Sequence, residues 1–358
     1  MTLPDIAQYR MLNQQMITTG FSKPAEMVAW LGAMQAQEYA HSKWAIGQRL
    51  PGSVDADIER DFTNGDILRT HLLRPTWHFV TPADIRWILA LTAPRVHVAN
   101  AFTYREMELD NKIFNRANDV LVTALQGGKQ LTRTVLQSAL KRKKIIADGI
   151  RLSCIMMHAE LDGIICSGAR AGKQFTYALL DERVPQVSHL DKDEALAELT
   201  KRYFTSRGPV TLKDFSVWSG LTVAQVKRGM EMVSSHFIHE AKGDEIYYFP
   251  PTGPLNKKLF QHAWLLPPYD EYIMGYKNKE AIFFNRNKMN PAPELLFLNT
   301  IIIEGQIAGS WRRTIEKNAI WLEYHLFNPF NKKQLTAVNV AIRKLSKFMG
   351  LPVLLIKN

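Results

Sequence analysis

Cysteine is scarce in this sequence, and long apolar runs are missing. The only two cysteines, Cys154 and Cys166, are too few for a disulfide framework or a four-cysteine zinc site. No apolar stretch reaches the ~20 residues that span a bilayer. The first ten residues, MTLPDIAQYR, have no basic region followed by an apolar one, so no signal peptide is expected. These absences predict a cytoplasmic protein with no membrane partner.

Several common catalytic motifs are also absent. The ten histidines form no His-Glu-x-x-His pattern, and there is no Gly-x-Ser-x-Gly. The run from Gly168 to Lys173 is one residue short of a phosphate-binding loop, and Gln174 stands where such a loop needs Ser or Thr. Metal and covalent-serine chemistry are therefore disfavoured, and we expect neither a metal ion nor a cofactor.

Positive charge is in excess and unevenly distributed. The chain has 45 Lys and Arg against 34 Asp and Glu, a net charge of +11. Residues 201–358 carry +10 of this charge and residues 1–200 carry +1. A basic half joined to a neutral half indicates either a surface for a polyanion such as DNA or a basic protein without such a partner. Composition does not separate these two interpretations.

Helix and hairpin patterns recur along the 358 residues, a length that predicts two to four structural units. The clearest set lies in 188–250, where capping patterns open three helices at Asp191, Thr211 and Thr222. Gly220 joins two short helices, and a strand–turn–strand pattern follows at 237–249. A helix-turn-helix followed by a hairpin predicts a winged helix.

The same plan recurs twice more, although the copies have little sequence identity. One copy is 130–186 and the other is 4–81, with a long helical stretch of about 82–126 as a bridge between them. Within the first copy, the spacing predicts helices and then paired strands at about 4–17, 24–35, 40–49 and 67–80. We therefore expect tandem modules.

Residues 260–358 have a different pattern. Several strands precede a helix with one apolar face from Leu335 to Met349, which Gly350 ends. This pattern predicts a small β-barrel or a curved sheet backed by a helix. The predicted fold class is therefore α+β, with tandem winged-helix (helix-turn-helix) modules and a C-terminal β-barrel-like unit. The predicted domains are 1–126, 127–187, 188–255 and 256–358.

Two polar stretches are candidate functional sites. The first contains Gln35 and Gln37 at the end of an apolar helix, where a solvated helix surface is the ordinary role of glutamine. The second is a set of basic residues on strands that otherwise alternate towards a core: Arg69, His71, Arg74 and His78. Such groups face either solvent or a cleft, and two histidines near two arginines slightly favour a cleft that binds DNA.

Other basic residues are predicted DNA contacts. Arg170 and Lys173 lie at a predicted hairpin tip, where contact with the DNA backbone and plain solvation are equally expected. The remaining predicted contacts lie on a helix and on a strand: Lys227, Arg228, Arg312 and Arg313.

Several segments together resemble the AlkZ-like family of winged-helix DNA glycosylases. The matching motifs are LGAMQAQ (31–37), RTHLLR (69–74) with His78, GPVTLKDF (208–215) with WSG (218–220), LLPPYDEY (265–272) with Gly275 and Tyr276, and GSWRR (309–313). They are spread in order over nearly the whole chain. Pro75 departs from the pattern, because the family usually has Gly before Thr-x-His, and Pro fixes φ and removes a donor.

The resemblance implies three tandem winged-helix units around a concave channel, completed by the C-terminal unit. It also implies that Gln35 and Gln37 are the catalytic Gln-x-Gln motif and that the substrates are cationic N-alkylated purines or interstrand crosslinks. Such a base leaves without a general acid, while a glutamine carbonyl can orient water and offer partial negative charge to the sugar cation. Residues two apart share one site only in extended chain, so the helix from about 24 must end near Gln35.

The implied partner is double-stranded, alkylated DNA, bound by a monomer that associates with the nucleoid. A non-catalytic winged-helix transcriptional regulator is the alternative on the same scaffold. Regulators usually dimerise to contact two half-sites, and three modules in one chain make this unnecessary, which favours the enzyme.

Overall fold

A computed structural model describes residues 1–186, 190–283 and 297–356. The α-helices are α1 (Leu3–Asn13), α2 (Pro24–Leu31), α3 (Tyr39–Gly47), α4 (Asp55–Asn64), α5 (Pro82–Glu106), α6 (Asn111–Leu125), α7 (Arg133–Arg142), α8 (Gly149–Leu161), α9 (Leu180–Arg183), α10 (Lys192–Arg207), α11 (Leu212–Ser219), α12 (Val223–Val233), α13 (Glu271–Met274), α14 (Glu280–Phe283) and α15 (Lys332–Met349). Short 3₁₀ helices are Ser234–His236 and Lys257–Phe260. The strands are β1 (Met34–Gln35), β2 (Leu68–Leu72), β3 (Thr76–Val80), β4 (Leu131–Thr132), β5 (Ile165–Ser167), β6 (Thr176–Leu179), β7 (Ile238–Lys242), β8 (Glu245–Phe249), β9 (Ala263–Leu266), β10 (Thr300–Ile303), β11 (Gln306–Glu316), β12 (Ala319–Leu326) and β13 (Val353–Leu355).

One order of elements occurs three times: a helix, a short extended segment, two helices and a hairpin. In the first repeat (24–80) the sheet order is β1-β3-β2, and in the second repeat (111–179) it is β4-β6-β5. In the third repeat (192–249) a single bridge between Val210 and Tyr248 takes the place of the first strand beside the hairpin β7-β8. In each repeat the early extended segment pairs with the last strand.

Local capping explains why several of these helices begin where they do. Asp191, Thr211 and Thr222 each accept the backbone N–H three residues ahead, and the acidic or Gln side chain at that position returns a bond. Gly220 ends α11 with φ +74°, and a Cβ there would lie 2.6 Å from the carbonyl oxygen of Leu73. The third repeat therefore packs tightly against the hairpin turn of the first.

Two helix predictions are corrected. The helix predicted for 24–35 ends at Leu31, because Gly32 takes φ +72°. The helical stretch of about 82–126 is two helices, which separate where Glu108 takes φ +51° and Asp110 caps α6. Helix α6 is the first element of the second repeat and not part of a bridge.

The C-terminal residues form an open sheet of five strands in the order β13-β12-β11-β10-β9. In the described part of the chain, the edge strands β9 and β13 do not pair with each other, so no closed barrel forms. The prediction of a β-barrel-like unit is therefore corrected. Helix α15 separates β12 from β13, which pair in parallel, and such a pair requires a crossover of this kind. The sheet backed by a helix is the arrangement present.

A shared hydrophobic core fixes the first repeat on this sheet. Met34 and Phe79 of the repeat, Leu265 and Trp311 of the sheet, and Leu345 of α15 belong to one buried cluster. A Cβ on Gly47 would lie 2.1 Å from the ring of Phe348, which shows how closely α3 approaches α15. The chain around Gln35 therefore rests on a packed support.

None of the helices in the described ranges is both long enough and apolar enough to cross a bilayer.

Candidate active site around Gln35 and Gln37

The two glutamines lie between α2 and α3, with Gln35 in strand β1 and Gln37 in the bend that joins β1 to α3. Strand β1 pairs Met34 with Phe79 and Gln35 with His78. The N–H of Ala36 donates to the carbonyl of Trp77 at 2.7 Å and continues this ladder by one residue. An unbroken helix through both residues is therefore excluded.

Gln35 is nearly enclosed by protein contacts. Its Oε1 accepts from Arg74 Nη2 at 3.3 Å, its N–H donates to Glu271 Oε1 at 2.9 Å, and its carbonyl accepts from Ser42 Oγ at 3.3 Å. Gln37 is half-buried, and its Oε1 is a buried atom with no hydrogen-bond partner among the described residues.

The sheet face that carries Gln35 also carries other polar atoms. Register places Gln35, His78 and Thr70 side by side across β1, β3 and β2. Four buried side-chain atoms of the β2–β3 hairpin likewise have no hydrogen-bond partner among the described residues: Thr70 Oγ1, Arg74 Nε, Thr76 Oγ1 and His78 Nε2. An unpaired buried polar atom costs about 1–3 kcal/mol. Such a concentration makes this face a candidate binding surface.

His78 is a neutral imidazole in this position. Burial lowers the pKa of His78 well below its ordinary value, and the nearby Arg74 lowers it further. His78 Nδ1 lies 2.9 Å from the carbonyl oxygen of Thr76, so Nδ1 carries the hydrogen and Nε2 carries the lone pair. His78 thus presents an acceptor next to Gln35.

Arg69 lies on the opposite face of the hairpin and holds the main chain of the motif. Its Nε donates to the carbonyl of Ala36 at 2.9 Å and its Nη2 to the carbonyl of Gln37 at 3.4 Å. The guanidinium stacks over the rings of Trp77 and Phe175 at 4.3 and 4.6 Å. Burial lowers the pKa of Arg69 to about 10, so the group stays charged at neutral pH. These contacts indicate a positioning role.

His71 also faces away from the glutamines. Its Nδ1 contacts the carboxylate of Glu160 on α8, and its ring lies 4.5 Å from the ring of Trp77. Of the four basic residues predicted in this hairpin, the structure places Arg74 and His78 beside Gln35, and Arg69 and His71 on the other face.

A buried ion pair supports the chain that enters the motif. Glu271 Oε2 accepts from Arg207 Nη2 at 2.6 Å and from Trp218 Nε1 at 3.0 Å. Arg207 also donates to the carbonyls of Leu31 at 2.8 Å and Ala33 at 3.1 Å. The third repeat and helix α13, which follows strand β9, thus meet at the backbone of 31–35.

Sequence reasoning did not single out this pair. The only available signal was that Arg207 and Glu271 adjoin or lie within motifs of the family resemblance. Their separation of 64 residues gave no reason to pair them.

The other predicted DNA contacts differ in exposure. Arg170 is half-buried over the rings of Tyr39 and Phe175, at 5.1 and 5.5 Å. Arg313 is half-buried, and burial lowers its pKa to about 10. Arg228 is exposed and pairs with the carboxylate of Asp193. The side chains that are exposed and therefore accessible to a polyanion include Lys173, Lys227 and Arg312.

No set of three His, Cys, Asp or Glu side chains converges on the glutamines within the described ranges. The polar side chains that this face offers are amides, one neutral imidazole and Arg74, without a cluster of metal ligands in the part of the chain that the structure describes.

Known proteins match the chain over most of its length. The family model described as "DNA glycosylase AlkZ-like" matches residues 28–348. A protein of Streptomyces sahachiroi named "Interstrand DNA cross-link repair glycosylase" is 21% identical over 315 residues, which are 80% of this chain and 81% of that protein. The solved structure of Streptomyces sahachiroi DNA glycosylase AlkZ has the same fold, with a TM-score of 0.77 at 17% identity, covering 99% of this chain and 100% of that one. On the breadth of the family match, this chain belongs to the AlkZ-like family of DNA glycosylases.

Proposed function

We propose that this chain hydrolyses the N-glycosidic bond of cationic N-alkylated purines in double-stranded DNA, with water positioned by Gln35 and Gln37. Family membership makes the chain a hydrolase of N-glycosyl bonds; the lesion and the roles of the glutamines are the proposal. The observation that carries it is Gln37 Oε1, a buried atom two residues from Gln35 that has no hydrogen-bond partner in the described residues.

Arg74 determines the orientation of the Gln35 amide. Because Arg74 Nη2 donates to Gln35 Oε1, the amide nitrogen of Gln35 points elsewhere and can donate in turn. A water that accepts from Gln35 Nε2 and donates to Gln37 Oε1 is then held by two amides. The partial negative charge of Gln37 Oε1 also stabilises the oxocarbenium-like sugar.

The bond changes of this reaction need no protein acid. The water oxygen bonds to C1′ of the sugar as the bond from C1′ to the purine nitrogen breaks. The electron pair of the broken bond moves to the base and neutralises its positive charge. The proton that the water loses passes to bulk solvent.

We assign DNA binding to the three repeats at 24–80, 111–179 and 192–249, which we interpret as winged-helix units around a channel that the C-terminal unit at 256–358 completes. The exposed cations Lys173, Lys227 and Arg312 contact phosphates. The name of the Streptomyces relative extends the proposed substrates to interstrand crosslinks, which this chain would unhook at the same glutamines. The chain acts as a monomer on the nucleoid.

Excision assays on the glutamine variants test the proposal. Gln35→Ala and Gln37→Ala should each lower single-turnover excision of N7-methylguanine from duplex DNA at least tenfold, because each removes a group that positions the water. DNA affinity measured by fluorescence anisotropy should hardly change, since phosphate contacts elsewhere supply it. The exposed Gln261→Ala is the matched control and should excise normally.

Two outcomes would overturn this proposal. A double-alanine variant that excises at the unmutated rate removes the pair from the mechanism. An unmutated chain that binds duplex DNA but releases no base from N7-methylguanine or crosslinked DNA supports the regulator instead.

A further inference from the structure

A second cluster of polar side chains lies between α5 and the end of α8. His97 Nε2 is 3.1 Å from Asp162 Oδ1, and His158 Nδ1 is 3.0 Å from Asp162 Oδ2. One ligand atom from each of the three residues lies within 4.8 Å of the other two. His158 and Asp162 are four residues apart, so they project from the same side at the end of α8.

Neighbouring side chains orient each member of this cluster. The hydroxyl of Tyr104 lies 3.4 Å from His97 Nδ1, the other ring nitrogen of that histidine. The ring of Phe114 stacks on that of His158 with centroids 3.6 Å apart, and Asn118 Nδ2 donates to Asp162 Oδ2 at 3.5 Å. Partners of this kind, which fix the ring and the free nitrogen, are typical around metal-binding histidines.

The contact between His158 and Asp162 is close but is not an aligned hydrogen bond. His158 Nδ1 is a buried atom with no hydrogen-bond partner in the described residues, despite lying 3.0 Å from the carboxylate. Two ligands of one tetrahedral zinc ion are also about 3.3 Å apart without bonding to each other, given bonds of ~2.0–2.1 Å. The geometry is therefore close to that of ligands around one ion.

The cluster opens into a cavity of about 350 Å³ that can supply the remaining coordination position. Its wall includes the apolar side chains of Leu89, Ala93 and Pro94 beside His97 and Asp162.

We propose that His97, His158 and Asp162 bind one Zn²⁺ ion, with water from the cavity as the fourth ligand. Two imidazoles and one carboxylate are suitable zinc donors. The ion fastens α5, which follows the first repeat, to α8 of the second repeat. Glu160, two residues from His158 and therefore on nearly the opposite side of α8, contacts His71 of the glutamine hairpin. The zinc site is thus separate from the proposed catalytic face and independent of it.

Zinc titration of the full chain tests the assignment. The chain, free of affinity tag and treated with chelator, should bind one equivalent of ZnCl₂ by calorimetry, and Co²⁺ should give the visible absorption of a low-coordinate site. His97→Ala and His158→Ala should weaken zinc affinity at least tenfold and abolish the zinc-dependent rise in Tm. The exposed His262→Ala is the control and should bind zinc like the unmutated chain.

Asp162→Asn tests the zinc site if a histidine variant does not fold. We expect this variant to fold, because Asp162 is exposed and asparagine has nearly the same shape as aspartate. Zinc affinity at least tenfold weaker in Asp162→Asn supports the site. Affinity unchanged in that variant, or no zinc binding by the unmutated chain, overturns the site without bearing on base excision.

Discussion

Replacing Glu271 by glutamine should disturb both the fold and the site. The glutamine keeps the size of the side chain but removes the negative charge opposite Arg207, whose guanidinium is fully buried. It also weakens the acceptor for the N–H of Gln35. The change therefore acts on the backbone that carries the proposed catalytic amides.

The expected loss of stability is large. Breaking a buried ion pair by neutralising one partner typically costs about 3–5 kcal/mol, because the other charge stays buried without its counterion. A native domain has about 5–15 kcal/mol of stability in total. Urea unfolding should thus show a much lower midpoint for Glu271→Gln than for the unmutated chain.

A double variant separates stability from positioning. Arg207→Met with Glu271→Leu leaves no unpaired charge, so it should be more stable than Glu271→Gln. In this double variant the carbonyls of Leu31 and Ala33 lose the guanidinium that donates to them, and the N–H of Gln35 loses its carboxylate acceptor. Excision at saturating enzyme should consequently remain at least tenfold low in the double variant, even where it is fully folded by circular dichroism.

The outcome that refutes this reasoning is a folded double variant with unmutated excision, because the pair would then only stabilise the fold. Asp193→Asn serves as the control. It neutralises one member of the exposed pair between Asp193 and Arg228 and should change the unfolding midpoint little.

Three further predictions follow from charge and burial. Alanine at Lys173, Lys227 and Arg312 should each reduce the slope of log K against log salt for duplex DNA by about 0.9, and an unchanged slope in the triple variant would exclude phosphate contacts there. As pH falls below about 6.5, His78 becomes protonated in the unfolded chain but not in the folded chain, so the free energy of unfolding should fall with pH. Urea titrations of His78→Asn should show a weaker pH dependence of this free energy. An identical dependence would show that His78 is not held neutral. Light scattering at micromolar concentration should give a mass near 40.9 kDa, and a mass near twice that value would contradict the monomer.

Elements with local signals could be predicted from the sequence. The capping boxes at Asp191, Thr211 and Thr222 involve residues only three apart, and all three form as expected. The hairpin predicted at 237–249 is present as β7 and β8. Helix α4 was missed because its N-cap, Val54, has no side-chain oxygen to mark the start.

The candidate site could be predicted only in part. The polar motif and its family resemblance pointed to Gln35 and Gln37, and alternation predicted that extended chain would bring them to one side. Which of the hairpin cations lie on the face of Gln35 depends on the pairing of β1 with β3. A strand of two residues is too short for the sequence to predict this pairing. A shift of one residue in the pairing register moves every side chain of a strand to the other face of the sheet, so an error of one residue would reverse the assignment.

The sequence by itself determined the repeated plan, the basic C-terminal half and the family, because each rests on composition or on residues close together in the chain. Only the tertiary structure decided that the C-terminal sheet is open within the described residues and that Glu271, 236 residues from Gln35, accepts the hydrogen bond of the motif's backbone. Contacts across such distances depend on how separate units pack. Their energy comes from burial and from pairing buried charge, which no local pattern encodes.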